Sequence, residues 1–320
     1  MMKKVFVLFR DILLSFFLLL FFNQEIKAQE SLKIISANLK WSERMALSIM
    51  KRHPEAYQID GQMEPKWDYV HGLVLTSFEA LFKQTKDQQY YNYIKQYADA
   101  TIDKNGAVSS YKFDTYNIDM VTAGRILFNL FETTKDTRYL TVLHLLRKQI
   151  AEQPRTASGG FWHKKIYPNQ MWLDGLYMGA AFYAQWASVF HDTLAFNDIT
   201  RQFVLAEQHT RDEKTGLLFH AWDESKQQKW ADPISGKSPH IWARAMGWYG
   251  VALVDALDYY PENHPGRDSL IQILQRWTTA ILKVQDAKEG VWFDILDAPN
   301  DPRNYKEASA SSMFTLVLLK

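Results

Sequence analysis

Several carboxylates, bases and cations in this chain stand near tryptophans in positions where they could do chemistry. Asp174 lies in Tyr167-Pro-Asn-Gln-Met-Trp-Leu-Asp-Gly-Leu-Tyr-Met-Gly179, where a loop enters a helix: Pro168 is unfit for a helix interior, and an apolar run continues from Leu176 to Phe190. A carboxyl group between aromatic rings can give and take a proton. Asp at a helix start is also a common cap, so its place alone serves the helix as well as a reaction. Its company is less ordinary, with Trp172 two residues before it and His163-Lys164 further back, after Ser158-Gly-Gly160. A His-Lys pair by itself reads as solvated surface. His220, in Leu217-Leu-Phe-His-Ala-Trp-Asp223, fits a structural and a functional role equally well. In His240-Ile-Trp-Ala-Arg-Ala-Met-Gly-Trp248 the cation Arg244 opens a helix, against the helix dipole. A residue placed against local preference points to function, and a guanidinium fork suits a carboxylate. Asp223 and Glu224 read as ordinary loop charges.

Several chemistries find no residues to carry them. His220 and His240 lack partners at a metal-ligand spacing, and there is no glycine-rich phosphate loop, so no metal and no cofactor is expected. The 37 Lys and Arg balance 36 Asp and Glu, which leaves no basic footprint for nucleic acid. Aromatics reach 14%, including 11 Trp and 16 Tyr, a supply that suits a cleft stacking against rings as well as a core.

The first residues read as an export signal. Lys3, Lys4 and Arg10 precede an apolar core from Ile12 to Phe22, and Ile26-Lys-Ala28 offers a cleavage point before Gln29. That core is short for a membrane span, and without cysteine there is neither a disulfide nor a lipid-anchored cysteine. Residues 1–28 are expected to be a signal peptide and 29–320 a single domain, exported to the periplasm or beyond, with no stable membrane anchor. The sequence sets no oligomeric state.

What positions the candidate residues is almost entirely helical. Three-to-four spacing of apolar residues predicts helices near 32–52, 69–84, 88–103, 118–134, 137–153, 175–190, 194–210, 241–259, 267–285 and 307–320. Only Gly216–His220 and Gly290–Asp294 read as short strands. Alternate helices open on an aromatic and a charged residue: Trp67-Asp68, Tyr116 with Asp119, Trp172 with Asp174, Trp242 with Arg244, Tyr305 with Glu307. Two alternating helix classes suggest a ring of hairpins whose inner helices all begin at one mouth, an (α/α) toroid normally of six hairpins; an open solenoid shares the helix pairs but not that gathering of functional groups. Ten helices make five hairpins, so the closing one is expected to be missing and Met313, Phe314, Leu316 and Val317 to lack a covering partner.

The succession Tyr-Pro-x-Gln-Met-Trp-Leu-Asp-Gly-Leu-Tyr-Met, preceded by His-Lys and followed by His-Ala-Trp-Asp and Trp-Ala-Arg-x-x-Gly-Trp, resembles the unsaturated rhamnogalacturonyl hydrolases of glycoside hydrolase family 105. The unsaturated glucuronyl hydrolases of family 88 are a looser match. The resemblance covers the chain after the signal, and the family continues beyond residue 320. It implies an (α/α)6 barrel, Asp174 as general acid and base, and Asp119 as a second active-site aspartate. It further implies that His163, Lys164, Trp172, His220, Trp242, Arg244 and Trp248 line the sugar pocket. The implied substrate is an oligosaccharide left by a polysaccharide lyase, ending in a 4,5-unsaturated uronic acid. A conventional inverting glycosidase using Asp119 and Asp174, a sugar epimerase, and a non-catalytic oligosaccharide-binding protein are the alternatives a shared fold leaves open.

Overall fold

The computed structural model describes residues 35–320; the signal-peptide reading of residues 1–28 lies outside them. Ten helices follow in order among the described residues: α1 Trp41–Arg52, α2 Tyr69–Thr85, α3 Gln88–Thr101, α4 Arg125–Thr134, α5 Thr137–Glu152, α6 (173–189), α7 Ala195–Thr210, α8 Ala243–Leu257, α9 Pro265–Lys283 and α10 Ala308–Leu319. The first begins nine residues later than the apolar spacing predicts, because residues 35–40 form a turn. None is long and apolar enough to cross a membrane.

Helices alternate between two environments, and the sequence shows why. The even-numbered set is apolar almost all round, the mark of a helix enclosed by others. In α8 only Arg244, Asp255 and Leu257 escape full burial, and in α6 every residue from Leu176 to Ala187 is buried. The odd-numbered set is amphipathic. Helix α3 buries Tyr90, Tyr91, Ile94 and Tyr97, and α7 buries Phe196, Ile199 and Phe203, while their other faces meet solvent. Successive inner helices α2, α4, α6, α8 and α10 pack side by side, with α3, α5, α7 and α9 behind them. This is the alternating helical-hairpin arrangement expected of an (α/α) barrel.

The inner helices lie close because small residues face their neighbours. A Cβ on Gly72 would stand 2.7 Å from the Ala123 backbone, and one on Gly124 would stand 2.9 Å from Phe182 of α6 and 2.3 Å from Leu146 of the outer α5. At the far end of the bundle, Arg125 of α4 and Asp255 of α8 form a buried ion pair at 2.8 Å. Burial alone would discourage the Arg125 charge, but Asp255 beside it outweighs that and holds the guanidinium firmly protonated.

Three sequence expectations need correcting. The strands are not at 216–220 and 290–294: the one sheet among the described residues pairs β1 Gln170–Trp172 antiparallel with β2 Ala221–Asp223, Met171 opposite Trp222. Residues 216–220 and 290–294 contribute only isolated bridges, such as Arg211 with Leu218 and Phe293 with Lys306. Second, α10 turns its apolar face inward. Phe314 is fully buried edge-on to Trp277 and Trp292, at ring separations of 5.5 and 5.2 Å, and Met313 packs on Gly247. Val317 is buried too, so of the four named residues only Leu316 is well exposed. Third, Asp68 does not face the mouth: it caps α2 by accepting from the amides of Val70 and His71, and its carboxylate lies 2.8 Å from His71 Nδ1.

Candidate active site

The starts of the inner helices converge at one mouth, and three loop segments are knitted to hold it. His163 donates its amide to Gln170 and accepts on its carbonyl from Ile118, which sets the 163 segment between β1 and the turn that carries Asp119. The Leu173 amide donates to the His220 carbonyl, so the β1–β2 pairing delivers His220 beside the first turn of α6. Glu224 then ties the loop after β2 to the amides of Ala157 and Ser158.

Asp119 sits in the short turn Ile118–Met120, capped by Asn117, whose side chain accepts from the Asp119 amide. Both of its carboxylate oxygens are engaged: Oδ1 lies 3.0 Å from His163 Nε2, and Oδ2 lies 2.7 Å from Lys164 Nζ. Burial pushes this carboxyl upward, but the His163 hydrogen bond and the charges of His163 and Lys164 outweigh it, leaving it below the ordinary Asp value. His163 is itself buried, stacked on Trp172 with ring centres 4.5 Å apart, and its Nδ1 finds no hydrogen-bond partner among the described residues. The pair that reads as solvated surface in the sequence is thus the seat of Asp119.

Asp174 occupies the opposite situation. It stands in the single α-helical turn Leu173–Gly175, and the chain then widens into a π turn, Leu176–Ala180, before resuming α geometry at Ala181. Such widened turns recur at functional sites, where they re-aim a side chain. Asp174 Oδ2 comes within 3.1 Å of His220 Nε2, but off the hydrogen-bonding axis. Both atoms are buried and neither has a hydrogen-bond partner among the described residues. A buried carboxylate oxygen left unpartnered is costly and is the exception in folded proteins. Here it belongs to a carboxyl group that has this oxygen free for an incoming molecule, whereas each oxygen of Asp119 already has a partner.

Aromatic rings enclose this carboxyl. Trp172 stacks between His163 and Tyr167 and stands edge-on to His220; His220 in turn leans on Trp242 at 5.0 Å. Trp248, a turn deeper on α8, is largely buried between Tyr69 and Tyr177 and forms a floor. The structure also brings in Tyr69, which the sequence reading missed. It sits half-exposed on the first turn of α2, and its phenol is pushed up by burial and then by the negative charges of Asp119, Asp60, Asp68 and Asp174. It therefore stays protonated, within the field of both site carboxylates. The signal was present in Trp67-Asp68-Tyr69, one residue beyond the charged position that marks the other inner helices.

Arg244 is the second residue of α8, and its conflict with the helix dipole is resolved from outside the helix. Its Nη1 donates to Glu307 Oε1 at 2.9 Å and lies 3.9 Å from Asp294 Oδ1, while its carbon sits 4.5 Å from the Trp242 ring centre. Asp294, another residue not anticipated, also accepts from Trp242 Nε1 at 3.1 Å. Both of these cations thus have an internal carboxylate: Lys164 holds Asp119 and Arg244 holds Glu307. Asp223 is no ordinary loop charge, being fully buried and accepting from the amides of Ser225, Gln227 and Gln228 and from the Ser225 hydroxyl.

An unpartnered carboxyl, a second carboxylate held beside two bases and stacked aromatic walls suit a sugar-cleaving barrel, and comparison with known proteins decides the class. Residues 41–320 match the sequence profile of Glycosyl Hydrolase Family 88. The chain belongs to that family. The family 88 chain is 44% identical to a solved C. acetobutylicum glycoside hydrolase from family 105, with a TM-score of 0.83 over 88% of this chain and 76% of the other. It is 28% identical over 264 residues to the unsaturated rhamnogalacturonyl hydrolase YesR of Bacillus subtilis, covering 81% of this chain and 72% of YesR. A third relative, Protein Atu3128 of Agrobacterium fabrum, is 40% identical over 146 residues, which is 45% of this chain and 60% of that protein. The resemblance to family 105, with family 88 around it, holds, and the protein is a glycoside hydrolase.

Proposed function

We propose that this enzyme removes a terminal 4,5-unsaturated uronic acid from lyase-generated oligosaccharides by hydrating its double bond. One observation carries the reading: the buried Oδ2 of Asp174, 3.1 Å from His220 and without a hydrogen-bond partner among the described residues, beside an Asp119 whose oxygens are both taken. Conventional glycosidases need two carboxyl groups acting across the glycosidic bond. With Asp119 locked by His163 and Lys164, the mouth offers a single working carboxyl, which suits a reaction needing only one.

In the unsaturated sugar the C4=C5 bond is joined to the ring oxygen as a vinyl ether. Asp174 gives its proton to C4, and the ring oxygen shares the positive charge that develops at C5. Water adds at C5 and returns a proton to the Asp174 carboxylate, so one group serves as acid and then as base. The resulting hemiketal opens, C1 parts from the neighbouring sugar, and the ring becomes a chain keto acid. His220 keeps Asp174 in place, Tyr69 donates toward the site, and Trp172 and Trp242 flank the sugar. Arg244 receives the uronate carboxylate alongside Glu307, and Lys164 acts by holding Asp119.

A galacturonyl residue linked to rhamnose, as in pectin fragments, is the substrate we propose, supported by the name of the YesR relative. The export signal read at residues 1–28 makes the periplasm or the exterior the proposed place of action. N-terminal sequencing of secreted material, expected to begin at Gln29, checks that.

The test of the reaction is its isotope pattern. Run in deuterium oxide on unsaturated galacturonyl-rhamnose, the enzyme should leave one deuterium on C4 of the acidic product. A product with no label at C4 would rule out protonation there.

A further inference from the structure

Beside the mouth lies a hollow of about 280 Å³ whose lining includes His240, Asp294, Ala298, Asp301, Arg303 and Tyr305. It opens off the site through shared residues. Asp294 lines it, holds Trp242 Nε1 and lies 3.9 Å from Arg244 Nη1. A path therefore runs from Asp174 through His220, Trp242 and Arg244 into this hollow.

Its walls are built to keep their shape. Asn304 accepts from the amides of Ile295 and Tyr305 and donates to the carbonyls of Ile295 and Ala298, and the Ile241 amide donates to Asp297. Tyr305 is 53% exposed, a ring open to a partner in a wall otherwise fixed. The charges are lopsided. Arg303 is spent on Asp301 through two nitrogens, and its hydrogen bond holds Asp301 down to about 2. Arg244 stands between two carboxylates, Glu307 at 2.9 Å and Asp294 at 3.9 Å, which leaves one negative charge over at the rim, while Asp297 of the same loop lies 4.0 Å from His240 Nδ1. Carboxylates accept from sugar hydroxyls and repel a second carboxylate.

We propose that this hollow is a distal subsite for one neutral sugar on the reducing-end side of the substrate, and that its carboxylates discriminate against a uronate there. The proposal rests on the functional reading above, with which it shares only the rim residues Asp294 and Tyr305.

Three substrates with the same unsaturated uronyl-rhamnose end decide it: the disaccharide, a trisaccharide with a neutral third sugar, and one with a uronate third. For the wild-type enzyme kcat/KM should rise about threefold or more from the disaccharide to the neutral trisaccharide and not rise for the uronate one. Ala298→Phe, which fills the hollow, should erase that rise while keeping disaccharide turnover. Asp301→Asn, which frees Arg303, should leave the disaccharide unchanged and improve the uronate trisaccharide. Equal kcat/KM for the two trisaccharides in the wild type overturns the proposal, as does a rise that survives Ala298→Phe. Should Ala298→Phe lose its circular dichroism signal, Asp301→Asn decides alone. If the wild type consumes none of the three, the functional reading fails. The hollow is then judged by calorimetry with the neutral trisaccharide: binding abolished by Ala298→Phe supports it, and no binding to the wild type overturns it.

Discussion

Gly175 follows Asp174 in helical conformation, φ −59° and ψ −26°, where alanine is ordinarily the better residue by about 1 kcal/mol. A methyl group there would stand 3.1 Å from His163 Nδ1, while its next contact, Ile118 Cγ2, is at an ordinary 3.7 Å. His163 must then withdraw by roughly half an ångström to reach a comfortable separation. It is wedged against Trp172 on one face and hydrogen-bonded to Asp119 at 3.0 Å, so the retreat stretches that bond toward the limit of hydrogen bonding. Losing about half of a charge-assisted bond, roughly 1 kcal/mol, corresponds to about a five- to tenfold loss in kcat/KM if Asp119 must be held in place. Helix propensity offsets most of that in the folded state, so the melting temperature should move by no more than about 4 °C. Gly175→Ala is therefore expected to separate activity from stability. Steady-state kinetics on the unsaturated disaccharide and a thermal melt of the same preparation read both. A folded variant within twofold of wild type would refute the claim that His163 governs the site through its seat on Asp119.

Other outcomes follow from the same geometry. Asp119→Asn removes the counter-charge of Lys164 and His163, at about 1–3 kcal/mol, below the range for fully buried pairs because Lys164 is partly solvated. Since the Asp119 carboxyl lies below its ordinary 3.8, its stabilisation is complete above that value and is lost as pH falls through the lowered one. The melting-temperature gap between wild type and Asp119→Asn should thus be full at pH 6 and shrink below pH 4; a gap independent of pH contradicts the ion-pair account. Tyr69→Phe should lower kcat by about a hundredfold while leaving the fold intact, as loss of a donor aimed at the site; unchanged kcat would place Tyr69 outside the reaction. Arg244→Lys should weaken binding of the uronate more than of its carboxyl-reduced analogue, since an ammonium cannot bridge Glu307 and a substrate carboxylate as a fork does. Equal losses for both would remove Arg244 as the anchor.

Much of this was legible because helices announce themselves locally. The apolar spacing placed all ten, and the all-round burial of α6 and α8 follows from their unbroken apolar runs. Asp174 was legible because Pro168, Trp172 and Gly175 mark a loop-to-helix junction. Arg244 was visible as a conflict with the dipole, though not its solution, since Glu307 belongs to another helix start. What stayed hidden depends on contacts between distant segments. Nothing in His163-Lys164 shows that both reach Asp119, and nothing in Asp223 shows that it folds back on four donors. Asp68 shows the opposite failure, a mouth signature whose carboxylate is taken up by the cap of its own helix and by His71.

The central claim is that one carboxyl, Asp174, drives hydration of a conjugated double bond. Its most direct test follows the ultraviolet absorbance of an unsaturated galacturonyl-rhamnose while free rhamnose is measured in the same reaction. The account predicts that wild type loses absorbance and releases rhamnose in step, and that Asp174→Asn, still folded, does both slower by several orders of magnitude. Rhamnose released with the absorbance intact, or Asp174→Asn working at close to the wild-type rate, would contradict it.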